Sequence, residues 1–450
     1  MLLALAAALL VPAAVAYYRG EPLQPFLVSA GVAGLLGLLL ERTFQQAADF
    51  RFGRSEAFVL VSAAWITASL FGALPYVLIK GPTFIIDGFF ESASGFTTTG
   101  ASILENVEGE PAALLLWRSL THWLGGMGII VLGIAILPKL QVGGMELLGA
   151  EAPGPITEKL TPRIAQTAKA LWGIYALFTA LETGALIALG LSPLEAVNQA
   201  FATMATGGFS TRNASIAGFD SAAVEMVVVL FMMVAGANFA LHFQMLRGRP
   251  GRLFRDSEFR FYIGVLGGAT AAVALDLLLR GHQDNVLEAL RYGVFQVTAI
   301  VTTTGFATAD FDAWPNFSKV LLLLLMFVGG CAGSTGGSVK VSRIMIVAKK
   351  LISDLQRLVQ PHAVLPVRIG RRAIPEEIVT SVTTFFLLFL TSFACGGLLL
   401  SMMGLDMVTA FSASAASLGN IGPGFAAVGP TQTYAPLPAP ARGCRRWRRS

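Results

Sequence analysis

Runs of apolar residues alternate with short polar connections from the first residues of the chain onward. Nine of these runs, about 2–17, 25–41, 57–79, 112–138, 168–191, 222–246, 259–280, 317–347 and 376–403, hold enough apolar residues to cross a bilayer as helices. The opening stretch MLLALAAALLVPAAVAYY lacks a basic leader, and a second apolar run from Pro25 to Leu40 follows at once, so it reads as a first span rather than a signal peptide. Between the third and fourth, the fifth and sixth, and the seventh and eighth runs, and again after the ninth, comes a segment of another kind. Each is a shorter amphipathic stretch running into Thr, Gly and Ser.

Composition narrows the class. The chain has 450 residues, 54% hydrophobic and only 13% charged, with a mean hydropathy of +0.67. Soluble domains carry roughly 25% charged residues, so the pattern predicts an all-α polytopic membrane protein. The formal net charge is +5, but the basic residues follow topology and do not indicate nucleic acid. Segments 41–56, 139–169, 246–260 and 340–376 carry most of the Lys and Arg and are therefore assigned to the cytoplasm. Segments 18–24, 80–111, 192–221 and 280–316 carry only Arg19, Lys80, Arg212, Arg280 and Arg291. They face outward, which puts the amino terminus inside. Cys331, Cys395 and Cys444 lie far apart, with no CxxC spacing for zinc or a disulfide framework.

Laid over one another, the four outward segments repeat: GFFESASGFTTTGAS (88–102), AFATMATGGFS (200–210), VFQVTAIVTTTGFA (294–307) and AFSASAASLGNIGPG (410–424). Aligning Gly100, Gly207, Gly305 and Gly419 gives separations of 107, 98 and 114 residues. Each unit reads as span, short helix, Gly turn, span. A helix of about ten to fourteen residues is too short to cross, so it dips in and returns, which is tolerable only inside protein or around water. Each begins near an acidic residue, Asp87, Glu195, Glu288 or Asp406, and Ser192-Pro193 adds a capping residue with proline in the first turn. The opposite, negative helix ends then aim at a central cavity and favour a cation there.

A dehydrated alkali cation needs several oxygens at once, and glycine permits the backbone conformations that turn carbonyls toward one axis. Thr98-Thr99-Gly100, Ala205-Thr206-Gly207, Thr303-Thr304-Gly305 and Ser417-Leu418-Gly419 are the candidate rings of oxygens, with Asn420 as a buttress for the fourth. A single TTTG is more often a helix-packing motif; four at similar intervals on one side favour a pore. The predicted units are 57–138, 168–246, 259–347 and 376–430, preceded by two extra spans within 1–56.

These residues resemble the Trk/Ktr/HKT superfamily of potassium transporters, and within it the TrkH/TrkG type. The resemblance covers about residues 1–430. It is carried by the four loops, Trp117-Arg118, HWLGGMGIIVLG (122–133), TGGFSTRN (206–213), CAGSTGGSVKVSRI (331–344) and GNIGPG (419–424). The two extra spans separate this type from the eight-span Ktr type. The resemblance implies a pseudo-fourfold pore within one chain, a homodimer, a cytosolic nucleotide-binding regulatory subunit of the TrkA type and a place in the bacterial inner membrane. It assigns the K+ filter to Thr98, Thr99, Gly100, Ala205, Thr206, Gly207, Thr303, Thr304, Gly305, Leu418, Gly419 and Asn420. Glycine at all four turns goes with potassium conduction, and serine in the first marks sodium-preferring relatives. The transported K+ is the only ion implied, and no cofactor is. Channel-like flux and proton-coupled symport both remain open.

The eighth run is interrupted by Gly329, Gly330, Gly333, Gly336 and Gly337 around Ser334, Thr335 and Ser338. That many glycines disfavour a continuous helix; a close-packed helix crossing is the alternative. In the family this stretch is an intramembrane loop that gates the pore below the filter. A P-loop is excluded, because the lysine follows GGSV rather than forming GK[ST]. Arg118 reads as a snorkelling or hydrogen-bonding structural residue, and His122 as a buried hydrogen-bonding partner. The basic loops 247–260 and 340–372 fit topology, with docking of the cytosolic subunit as an overlay.

The chain departs from the family after GNIGPGFAAVGP. A last span is expected there, whereas the sequence reads TQTYAPLPAPARGCRRWRRS, placing Arg442, Arg445, Arg446, Arg448 and Arg449 outside. The tail 431–450 is therefore read as aberrant and the last span as missing, with impaired folding or conduction expected. Rival functions are a sodium or mixed-cation transporter, a membrane scaffold, and an intramembrane hydrolase. The hydrolase is disfavoured because His122, His242, His282 and His362 are the only histidines and no GxSxG accompanies them. The chain is not expected to be an enzyme.

Overall fold

The computed structural model describes residues 1–44, 54–135, 160–363, 365–370 and 372–437. Part of the loop assigned to the cytoplasm, 139–159, and the arginine-rich end 438–450 lie outside the described residues, and with them most of the expected aberrant tail.

Among the described residues the fold is helical apart from a two-residue antiparallel hairpin, Arg368–Ile369 with Arg372–Ala373. Six helices are long and apolar enough to cross a membrane: Leu2–Arg19, Gln24–Thr43, Val59–Lys80, Gln166–Ala188, Ser257–Leu279 and Glu376–Met402. Ala112–Ala135 is a further helix of 24 residues. Polarity is distributed inside out relative to a soluble protein. Leu279, Leu287, Leu387, Leu388, Leu398 and Leu399 are exposed on the outside, while Gln199, Gln296, Thr203, Thr302, Glu91 and His122 are fully buried. Such an arrangement is stable only where the outside is hydrocarbon. The chain is a multi-pass membrane protein.

Two predicted spans are not continuous. The run 222–246 divides into Ala222–Ala235 and Phe239–Leu246, bent by 99°, which corrects the expected unbroken helix. Asn238 caps the second piece by accepting from the Ala240 amide at 2.8 Å. The polar groups freed at the break are taken up from afar. The Gly236 carbonyl accepts from Cys331 N at 2.8 Å, and Phe239 N donates to the Gly333 carbonyl at 3.1 Å. The run 317–347 is interrupted where the glycines predict it: helix Asn316–Leu325 ends before them, and the chain resumes as Val341–Val359.

Three short helices lie between the long ones and a fourth follows the last: Ile85–Phe96, Pro193–Met204, Val286–Val301 and Met407–Gly419, of 12, 12, 16 and 13 residues. At 1.5 Å per residue they span about 18–24 Å, less than the roughly 30 Å of a hydrocarbon core. Their amino-terminal ends are capped, at Ser192 as the sequence predicts and at Asn285 and Asp406 besides. Ser192, Asn285 and Asp406 accept from Glu195 N, Leu287 N and Thr409 N, and Asp87 sits in the first turn of the first helix. Small residues admit close neighbours on these helices: Gly88 faces Tyr76, and Gly95 faces Thr121.

Candidate functional site

Each short helix ends in a turn of the same unusual shape. Thr98, Thr206, Thr303 and Asn420 have φ of 57°, 54°, 59° and 55°, and two residues later Gly100, Gly208, Gly305 and Gly422 have φ of 77°, 81°, 75° and 95°. A left-handed conformation costs an L-residue about 1–2 kcal/mol and is rarest for β-branched side chains. Three threonines therefore hold it only because their surroundings over-determine it.

The turns meet one another in a closed ring. A Cβ added at Gly100 would run into the Gly207 carbonyl, at Gly208 into that of Thr304, at Gly305 into that of Ile421, and at Gly422 into the backbone of Thr99 and Gly100. First touches second, second third, third fourth, and fourth first. All four of Gly100, Gly208, Gly305 and Gly422 line one cavity of about 150 Å³. The equivalent triplets are thus Thr98-Thr99-Gly100, Thr206-Gly207-Gly208, Thr303-Thr304-Gly305 and Asn420-Ile421-Gly422. Relative to the alignment on Gly207 and Gly419, the second turn shifts by one residue and the fourth by three. Ala205 and Leu418 fall before their triplets. Gly207 supplies a carbonyl to the ring while its Cα faces His122, and Gly419 sits below the ring, its carbonyl facing Gly337.

Side chains complete the turns. Thr97 and Thr99 hydroxyls are 2.8 Å apart, as are those of Thr302 and Thr304. Thr99 Oγ1 donates to Asn420 Oδ1 at 2.6 Å, joining the first turn to the fourth. The chain after the fourth turn also returns to the ring. Buried Tyr434 donates its hydroxyl to the Gly422 carbonyl at 2.7 Å and its amide to the Ser102 carbonyl at 2.8 Å.

The glycine-rich stretch 329–338 lies against the inner side of this ring. Gly336 abuts the Thr302 carbonyl and Gly337 that of Gly419. Thr335 Oγ1 donates to the carbonyls of Met204 and Ala235 at 3.1 and 3.3 Å, and Thr303 Oγ1 accepts from Gly337 N at 2.6 Å. The carbonyl ends of three short helices thus face this loop. Lys340 Nζ, just past its end, donates to the Gly336 carbonyl, and within it Ser334 Oγ donates to that of Cys331 at 2.6 Å. Glu258 Oε1 accepts from Ala332 N at 2.8 Å and Ser342 N at 3.0 Å, tying the loop to the start of the helix that follows it.

At the amino-terminal end of the second short helix, burial pushes the Glu195 carboxyl up, but the Ser192 hydroxyl and the Arg212 guanidinium at 2.6 Å outweigh it and hold the group below its ordinary value. The Asp406 carboxyl is likewise held down, by its cap bonds to Thr409.

Residues 37–434 match the family described as TrkH, a cation transport protein. The chain belongs to the TrkH family. It is 43% identical over 376 residues to the Trk system potassium uptake protein TrkH of Salmonella typhimurium, covering 83% of this chain and 78% of that protein. The TrkH of Halomonas elongata is 41% identical over 406 residues, 89% and 83% of the two chains. The crystal structure of the potassium transporter TrkH from Vibrio parahaemolyticus superposes with a TM-score of 0.90 at 36% identity, over 98% of this chain and 92% of that one. Membership of a transport family leaves the hydrolase and scaffold readings without support.

Within this TrkH-family fold, Thr98, Thr99, Gly100, Thr206, Gly207, Thr303, Thr304, Gly305 and Asn420 stand in the ring's triplets. Gly208, Ile421 and Gly422 stand there too and were missed. What the four turns share is a residue at positive φ followed two positions later by a positive-φ glycine, and with threonine at three of the four first positions the residue types do not announce it. His122 is fully buried, stacked on Phe209 with ring centroids 4.0 Å apart, and belongs to the packing behind the second turn.

Proposed function

We propose that this chain carries potassium into the cell, with the ring of four turns as its selectivity filter and Gly329, Gly330, Gly333, Ser334, Thr335, Gly336 and Gly337 as the gate beneath it. The observation that carries the reading is the closure of the ring around one cavity by the four positive-φ glycines. Backbone oxygens of the triplets replace the water that K+ sheds. The converging carbonyl ends of the short helices add favourable potential on the inner side. Flux stops while the loop rests against the Thr302, Met204 and Gly419 carbonyls and proceeds when it moves away.

The name shared by the relatives, potassium uptake protein, supports K+ as the cargo. We also propose the four span–helix–span units around the ring, an inside amino terminus, a homodimer in the bacterial inner membrane, and control by a cytosolic nucleotide-binding subunit of the TrkA type through the basic loops.

The test is rubidium uptake by cells that lack their own potassium uptake systems and express this chain. Competition by potassium well below the concentration at which sodium competes is expected; equal competition by the two ions refutes a potassium filter. Gly100→Ser should raise the sodium share, whereas a mere packing role leaves the ratio unchanged.

A further inference from the structure

With the turns in register, position nine before each ring glycine holds Glu91, Gln199, Gln296 and Ala413. The first three side chains do one job, bracing the outgoing chain segment of their own turn. Glu91 accepts from Ser102 Oγ at 3.0 Å and Ile103 N at 2.9 Å, Gln199 donates to Ser210 Oγ at 2.9 Å, and Gln296 donates to Thr308 Oγ1 at 3.3 Å. In the fourth turn the neighbouring Ser412 hydroxyl accepts from Phe425 N at 2.9 Å. Neutral groups suffice in three places, so bracing alone does not explain a carboxylate in the first.

The carboxylate is matched by Arg118. Its Nε donates to Glu91 Oε1 at 2.6 Å, its Nη1 donates to the Ser210 carbonyl of the second turn at 3.0 Å, and its guanidinium lies 3.6 Å from the Phe209 ring centroid. Glu91 is 0% and Arg118 3% exposed. A buried ion pair contributes little net stability once desolvation is counted; its gain is a fixed geometry. Here the fixed quantity is a distance between two quadrants. Glu91 holds the segment leaving Gly100, Arg118 holds the segment leaving Gly208, and the planar fork ties one to the other. Ser210 receives the brace of its own quadrant on its hydroxyl and the cross-link on its carbonyl.

We propose that Arg118, aligned by Glu91, is a positioning residue for ion selectivity that sets the separation of the first and second turns. The proposal rests on the reading of the ring as a filter. Carbonyls select by the size and field of the cage they form, so loosening one seam admits the smaller sodium ion more readily than it alters passage of rubidium.

Rubidium and sodium uptake are measured in parent, Arg118→Lys, the double variant Glu91→Gln with Arg118→Met, and Gly100→Ser, each normalised to the protein in the membrane. Lysine keeps Glu91 paired but cannot fork to Ser210. The double variant removes both charges and leaves the amide used at Gln199 and Gln296. Both are expected to accumulate and to lower the rubidium-to-sodium ratio by about fivefold, the equivalent of one net hydrogen bond, with the maximal rubidium rate changed less. Parental ratios in both overturn the positioning role. If Gly100→Ser shifts the ratio while these do not, only this proposal falls; if Gly100→Ser also leaves it unchanged, the filter reading falls with it. Should both variants at position 118 fail to accumulate, Phe209→Leu decides, since it spares the ion pair but removes the ring under the guanidinium: a lowered ratio upholds the role and a parental one overturns it.

Discussion

The ring and the loop beneath it are both rich in glycine and both expose backbone carbonyls, yet they are held in place by different means. In the ring, Thr98, Thr206 and Thr303 sit in a conformation that β-branched residues avoid, and each glycine two positions on is fenced by the backbone of the next turn. The loop 329–338 has positive φ only at Gly333 and Ser338; Gly336 and Gly337 also pack against backbone carbonyls, but its hydrogen bonds toward the turns are individual ones, from Thr335 to the Met204 and Ala235 carbonyls and from Gly337 N to Thr303. Each is worth about 0.5–1.5 kcal/mol net. The ring is held mainly by conformation and the loop more by bonds that can be given up singly, which is the division the proposed filter and gate require.

The largest effect that separates the two comes from the ring. Alanine at Gly305 must adopt φ near 75° and would run into the Ile421 carbonyl. We expect rubidium uptake per molecule in the membrane to fall by at least about a hundredfold, from the left-handed cost plus displacement of the fourth turn. Uptake within a few fold of the parent would mean that the ring yields as easily as the loop.

Thr335→Val tests the loop. It removes the donor to the Met204 and Ala235 carbonyls while keeping the side-chain volume. The loop should rest less firmly against the ring, raising the rubidium uptake rate by about fivefold, the weight of one net hydrogen bond, with the rubidium-to-sodium ratio unchanged. A change in the ratio, rather than the rate, would join loop and ring into one selective unit.

How far the chain announces these regions differs by kind. The long spans were legible because lipid-facing leucines such as Leu387, Leu388, Leu398 and Leu399 need only be numerous. The bend after Ala235 was not, since its cost is offset by Cys331 and Gly333, about a hundred residues on. Thr206-Gly207 offered a threonine–glycine pair that matched Thr99-Gly100 by letter but not by shape, because the shared feature is backbone conformation at alternate residues. That shift hid Glu91, Gln199 and Gln296 as equivalent braces. Glu258 escaped notice as one acid at the edge of a basic loop, its role arising only when the loop folds back upon it.

Tyr434→Phe probes the ring at a single bond. Without the hydroxyl the Gly422 carbonyl loses a donor at 2.7 Å, while the Ser102 contact through the amide remains. The expected result is a rubidium-to-sodium ratio lowered about two- to threefold, less than a full net hydrogen bond because ring closure persists, with the uptake rate near the parental value. An increased rate at constant ratio would place Tyr434 with the gate instead.

The smallest effect lies at the far end of the helix that carries the second turn. The Glu195 carboxyl is held below its ordinary value in the fold, by Ser192 and Arg212 acting against its burial. A depressed carboxyl contributes stability at pH above its unfolded value and loses it as pH falls through the folded value. Glu195→Gln lacks that contribution throughout. The thermal midpoint of the parent should therefore exceed that of the variant at neutral pH, and the gap should close as pH drops below about 4.3, the ordinary glutamate value. Other carboxylates titrate in both proteins and cancel in the difference. A gap that persists unchanged to the lowest pH would show that the helix end is held by packing and neutral capping, confining the ring's electrostatic support to the buried pair of Glu91 and Arg118.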